Sequence, residues 1–177
     1  MNKLIIIIFT NSTNPVGICI YAFFLGISLG GFTYFIEKAI GMQGLGILAA
    51  ALTFVILAAM LTIYRAGLIS WNRNLAIAVY SSIGAILFIY VVSFIGIFLG
   101  FEIPLIHGNG SVGIVFSLFV IGIGALCLVA DFDFIEKGVE RGAPKQLEWR
   151  AAFGLMVTLI WLYIEILNLL AKLASRR

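Results

Sequence analysis

Acidic side chains set inside long apolar runs are the residues of this sequence best placed to do chemistry. Glu165 stands in the run LIWLYIEILNLL, with Leu, Ile and Tyr on both sides. A charged side chain in membrane hydrocarbon costs at least ~2.5–3.5 kcal/mol on insertion scales, so such a residue needs a protein or water partner. On a helix turning 100° per residue, Thr158, Trp161, Glu165, Asn168 and Lys172 fall on one stripe, which should therefore face protein or water and not lipid. Lys172 is two turns from Glu165, too far to neutralise it directly, and can snorkel outward to the interface. Glu165 then has no obvious partner within its own helix. The second acidic region is Asp131-Phe132-Asp133-Phe134-Ile135, which ends another apolar run. Residues two apart point in nearly opposite directions on a helix, so only one of Asp131 and Asp133 can face the interior. Asp131 is the more embedded of the two. Two readings follow: ordinary polar residues at a helix end, or Asp131 brought against Glu165 across a helix contact. Two carboxylates held close cannot both ionise easily, so such a pair would share one proton and sense pH.

Other chemistry has little support. His107 is alone in a loop and reads as a solvated residue. No glycine-rich phosphate loop, HExxH or CxxC spacing, or nucleophile-elbow serine is present, so no catalytic constellation, cofactor or metal is expected and the protein reads as a non-enzyme. Cys19 and Cys127 lie in apolar stretches without paired spacing and read as packing residues. Asn11-Ser12-Thr13 and Asn109-Gly110-Ser111 match the glycosylation sequon, a weak pattern outside a secretory pathway.

The elements that must position these residues are membrane spans. Of 177 residues, 63% are apolar and 11% charged, with a net charge of +3; soluble domains average about 45–50% and about 25%. Nucleic-acid binding is not implied by the basic balance, and no room remains for a soluble catalytic domain. Five runs are long enough to cross: about 16–36, 45–64, 75–99, 112–135 and 150–171. The fold class expected is an all-α polytopic transmembrane bundle forming a single domain over 1–177. Residues 1–14 hold only a short apolar stub, Leu4 to Phe9, too short for a signal peptide's core and equally readable as the end of a longer upstream helix. Gly26 and Gly30, with Ser28 and Gly31 beside them, form the small-xxx-small arrangement that lets helices approach closely, although glycine is also ordinary in such helices.

The connections are short. Glu37 to Gly44 is polar and glycine-containing, Arg65 to Asn74 carries two arginines and Trp71, and Gly100 to Ser111 holds Pro104 and His107. In the charged connection Glu136 to Trp149, Gly142 suits a helix end and Pro144 the first turn of the next helix. Tyr64, Trp71 and Trp149 read as interfacial anchors. Of the 11 Lys and Arg, seven fall on one side: Lys3, Arg65, Arg73, Lys137, Arg141, Lys145 and Arg150. By the positive-inside rule, loops 65–74 and 136–149 are cytoplasmic and the C-terminus is extracytoplasmic, against the pull of the basic C-terminal tail.

The stretch Leu126 to Leu173, with its DFDFIE run, GAPK turn and LYIEILNLL helix, resembles the C-terminal signature of the bacterial YccA-like branch of the Bax inhibitor-1 membrane proteins. YRAGLI at Tyr64 to Ile69 and IPLIHGNGSVGIVFSLFV at Ile103 to Val120 are similar to the same branch, so the resemblance covers nearly all of the chain from Pro15 onward. It implies a seven-helix bundle with a central last helix, of which the five spans here are the last five. It also implies that Asp131 and Glu165 occupy the family's paired carboxylate positions, Glu165 where Asp is frequent, and that the pair gates a pH-dependent calcium leak, closed when it shares a proton and open when it separates. Asp133 matches a position that is not always acidic. The sequence departs from the branch in two ways. About two spans expected before Val16 are represented only by the stub, as for a late start, a truncated copy or a fragment, and Leu25 stands where the branch commonly has an acidic residue.

The span boundaries put Asp131 near the cytoplasmic edge and Glu165 about 22 Å along the last helix. A direct pair requires the fourth helix to run on through Phe134 and Ile135 and the fifth to begin near Pro144. The function expected is a pH-sensitive calcium leak in the inner membrane, with Asp131 and Glu165 on the ion path and Asn168 and Asp133 as weaker candidates. The alternative is a non-conducting partner or modulator of a membrane-bound protease, which the short bundle would favour; a decayed, inactive copy is a third reading. The partners expected are the lipid bilayer, calcium ion and, on the alternative, that protease.

Overall fold

The computed structural model describes residues 15–98 and 110–176. They form five helices: α1 (Pro15–Ile40), α2 (Leu45–Arg65), α3 (Arg73–Phe98), α4 (Ser111–Glu140) and α5 (Gln146–Ala174). All five are long and apolar enough to cross a membrane, and no strand occurs among the described residues. The stub Leu4 to Phe9, Pro104, His107 and the sequon residues Asn11 and Asn109 lie outside the described residues.

Most helices extend past the expected spans. α1 continues from 36 to 40, α4 from 135 to 140, and α5 begins at 146 and not at 150. Hydropathy marks where a helix leaves hydrocarbon; the backbone keeps its internal hydrogen bonds beyond that level, with polar side chains outside. The connection from Glu37 is consequently shorter than its polarity suggests. Glu37 lies in the last turns of α1, and its Oε1 accepts from the Gly44 and Gly46 amides at 3.1 and 2.9 Å. A carboxylate thus meets the unsatisfied N–H groups that begin α2, where the helix dipole favours negative charge.

The α4–α5 turn follows the expected chemistry. Gly142 has φ 60°; its N–H donates to the Val139 carbonyl at 3.0 Å, and the Ala143 N–H donates to Gly138 at 3.0 Å. This is the Schellman ending, which requires a left-handed residue where glycine stands. Pro144 accepts from the Leu147 amide at 2.8 Å at the start of α5.

α5 is the centre of the bundle, packed on α4, α2 and α1, while α3 packs mainly on α4. Leu128 and Phe132 of α4 close on Leu162 of α5; Leu45 and Ala49 of α2 close on Ile166 and Leu167; Val79 and Ile86 of α3 meet Val120 and Ile123 of α4. Central position explains why α5 buries both its apolar sides and its polar stripe: Thr158, Trp161, Glu165, Asn168 and Lys172 are all buried or half-buried. The outward faces are apolar and uncovered, as with Phe23 at 66% and Phe88 at 69% exposure, which suits contact with lipid tails.

The glycines that bring helices together are not the expected ones. Nothing lies within 4 Å of a Cβ built on Gly26, Gly30 or Gly31, and these positions with Ser28 are exposed among the described residues. Close approach occurs instead at Gly124, where a Cβ would stand 2.8 Å from Leu162, and at Gly46, where it would collide with Thr33. Cys127 is half-buried, as a packing residue should be, whereas Cys19 is exposed on α1.

Candidate functional site

Glu165 is 6% exposed. Its Oε1 accepts from the Tyr90 hydroxyl on α3 at 2.8 Å and from the Trp161 indole N–H at 3.3 Å. Trp161 lies one turn earlier on α5, so Glu165 does have a partner in its own helix, contrary to the expectation. An indole N–H is donor-only, and a buried one seeks an acceptor; four-residue spacing sets the two side chains together. The sequence gives Tyr90 no distinction: it reads there as one aromatic among apolar neighbours. Its signal is a phenolic hydroxyl well inside an apolar run, a group that needs a polar partner when buried.

Beside Glu165 lies a cavity of about 560 Å³. Its polar lining is Tyr90, Ser117, Glu165, Asn168, Lys172 and Ser175, and its apolar wall includes Ile36, Ile40 and Phe116. Residues near the ends of α1 and α5 and near the start of α4 contribute, so the cavity belongs to the end of the bundle at which α5 finishes. Asn168, the weaker candidate, shares this cavity with Glu165. Lys172 does not snorkel outward: its Nζ donates to the Ser117 hydroxyl at 2.9 Å and to the Gly113 carbonyl at 3.2 Å. Beyond the cavity, the Thr33 and Tyr163 hydroxyls bond at 2.7 Å and tie α1 to α5.

Asp131 occupies a different level. It is half-buried, faces Thr158, and its Oδ1 would stand 3.6 Å from a Cβ on Gly154. Its Oδ2 is buried without a hydrogen-bond partner. α4 does run through Phe134 and Ile135, and α5 does begin just after Pro144, so both conditions for sinking Asp131 are met. It lies nine residues before the end of α4, about 14 Å inside that helix. The direct pair is nevertheless absent. Asp131 meets α5 at Gly154 and Thr158, and Glu165 is two turns further, about 10 Å along the axis. In an antiparallel pair, depth on both helices must match, and the sequence gives each depth only relative to its own helix end.

Asp133 turns away from both, as two-residue spacing requires. It forms an ion pair with Lys137 at 2.6 Å, four residues on, and lines a second cavity, of about 650 Å³, with Trp71, Tyr80 and Arg141 at the other end of the bundle. There the Tyr64 hydroxyl donates to Glu136, while the Tyr64 ring rests 5.8 Å from that of Phe132.

Chemically, the arrangement offers a buried carboxylate beside a cavity with polar groups in its wall, with a second, half-buried carboxylate about two turns away along the α4–α5 interface. Such a set can take up protons and attract cations within a membrane. Together with five apolar helices whose outer faces are uncovered, it describes a multi-pass membrane protein. No curated protein and no solved structure matches the chain. A family model described as Bax inhibitor 1 like matches residues 2–175, almost the whole sequence including the segment before α1, and the chain therefore belongs to the Bax inhibitor 1 like family.

Proposed function

We propose that this protein is a pH-sensitive calcium leak of the inner membrane, and not an enzyme, with Asp131 and Glu165 as its proton-binding carboxylates. The observation that carries the reading is Glu165: an acidic side chain, 6% exposed, held by two donors against a cavity with polar groups in its wall, at the end of an apolar bundle. A carboxylate retained there at a cost of several kcal/mol is expected to handle ions or protons. On this reading, ions pass between the cavity and the level of Asp131, whose unpartnered Oδ2 is free to accept a proton. The resemblance ties closure to a shared proton and opening to separation. The arrangement with the two carboxylates two turns apart then corresponds to the separated state, and closure requires α4 and α5 to slide past one another, a shear motion of packed helices.

Protonation discharges both carboxylates, so calcium uptake by liposomes holding the purified protein is expected to be lowest at acid pH and to rise as the protons leave. Glu165→Gln and Asp131→Asn, each neutral at every pH, should flatten or displace that profile. Identical pH profiles in wild type and both variants would sink the gating role.

A second reading, a non-conducting partner of a membrane-bound protease, is favoured by one observation: the exposed stripe of Gly26, Gly30 and Gly31 on α1, where none of the described residues comes within 4 Å of an added Cβ. Small residues let another helix approach closely. That reading is supported by co-purification with such a protease that Gly30→Leu abolishes, with no calcium uptake at any pH.

A further inference from the structure

Lys172 lies near the end of α5, where a lysine ordinarily extends its strongly hydrated ammonium into water. Here the ammonium turns inward, to two oxygens of α4 that are themselves buried: the Ser117 hydroxyl at 2.9 Å and the Gly113 carbonyl at 3.2 Å. It also lines the cavity that holds Glu165 and Asn168. We propose that the Lys172 ammonium is a tethered cation: it fills the outer cation position of the path to Glu165, and a metal cation entering from this end must displace it.

The inference rests on the cation-path reading above and adds to it the residue that sets entry. A backbone carbonyl and a hydroxyl are the hard oxygen donors that calcium and similar cations take, and a helical carbonyl keeps a second lone pair for an outside partner. Further in, Asn168 and Glu165 supply an amide and a carboxylate on the same stripe. Without the ammonium, that cavity presents a row of oxygens ending in a negative charge and no resident competitor. Seven residues place Lys172 about 10 Å from Glu165 along α5. At that distance, in a wall of low dielectric, loss of one positive charge should strengthen binding of a multivalent cation at least tenfold.

The test uses the full chain in liposomes, with two readouts. Terbium binding is followed by luminescence sensitised through Trp161, whose indole touches Glu165, and calcium uptake is followed separately. Lys172→Met keeps the apolar stem, and Lys172→Gln keeps a polar end without charge. Both are expected to bind terbium at least tenfold more tightly than wild type and to raise initial calcium uptake by a similar factor. Lys172→Arg, which keeps the charge, should give a smaller rise than either. Equal terbium affinity in wild type and both neutral variants overturns the proposal, and leaves the leak standing if uptake still depends on Glu165. Tighter terbium binding with no uptake in any variant supports the tethered cation and removes the conduction reading. Neither terbium binding nor uptake in any variant overturns both.

Discussion

Gly46 and Gly26 both sit inside apolar helices, yet a methyl group added to each meets opposite surroundings. At Gly46 it would drive into Thr33 and stand 3.2 Å from the Tyr163 hydroxyl, the two groups whose mutual hydrogen bond joins α1 to α5. At Gly26 it meets none of the described residues within 4 Å. Gly46→Ala should therefore destabilise the bundle by about 1–3 kcal/mol through overpacking, while Gly26→Ala should be neutral or stabilise it by roughly 0.5 kcal/mol through reduced chain entropy. Denaturant titration in micelles gives the sign of each, and equal effects would mean that α1 does not pack on α2 as described. The same contrast explains what a sequence carries at this scale. Spacing marks Gly26 and Gly30 as able to accept a neighbour but cannot say whether the chain supplies one. Glu165 was legible because a charge in an apolar run is costly wherever it points, whereas Tyr90 was not, because an aromatic ring fits such a run and only tertiary packing brings its hydroxyl to an acceptor.

At the scale of elements, the spans were legible and their ends were not. Apolar runs record the thickness of hydrocarbon, and α4 and α5 continue past it as helices until something stops them. For α4 the stop is Gly142, at φ 60°, whose turn returns two amides to the carbonyls of Val139 and Gly138. An L side chain at that angle is strained, so Gly142→Ala should cost about 1 kcal/mol and Gly142→Asn less, since asparagine tolerates the left-handed region. Thermal unfolding should rank the three proteins Gly, Asn, Ala. A fall in stability for Ala without recovery for Asn would show that the small side chain, and not the backbone angle, is what the turn requires. The turn also fixes the phase between α4 and α5, and with it the depth at which Asp131 meets Thr158. Two residues of error at one helix end shift facing levels by about 3 Å, and errors at both ends add. Hydropathy therefore identified the two acidic residues and their helices but could not establish whether they meet.

For the whole molecule, five crossing helices place residue 15 and residue 176 on opposite sides of the membrane, and the cavity beside Glu165 on the side of residue 176. Arg65, Arg73, Lys137, Arg141, Lys145 and Arg150 border the turns at the other end. Basic residues in short loops resist translocation, so that end should be cytoplasmic and the cavity should face outward. Lys38, Lys172 and Arg176 oppose this from the far side, but Lys172 is held inside the bundle by Ser117 and Gly113 and counts for less as a free interfacial charge. Single cysteines at Ser175 and Lys145, introduced after replacing Cys19 and Cys127, separate the two orientations. In intact cells a membrane-impermeant thiol reagent should label Ser175→Cys and spare Lys145→Cys until the membrane is permeabilised. The reverse pattern would turn the cavity toward the cytoplasm. Calcium would then meet Lys172 only on leaving Glu165, and the tethered ammonium would act on exit and not on entry.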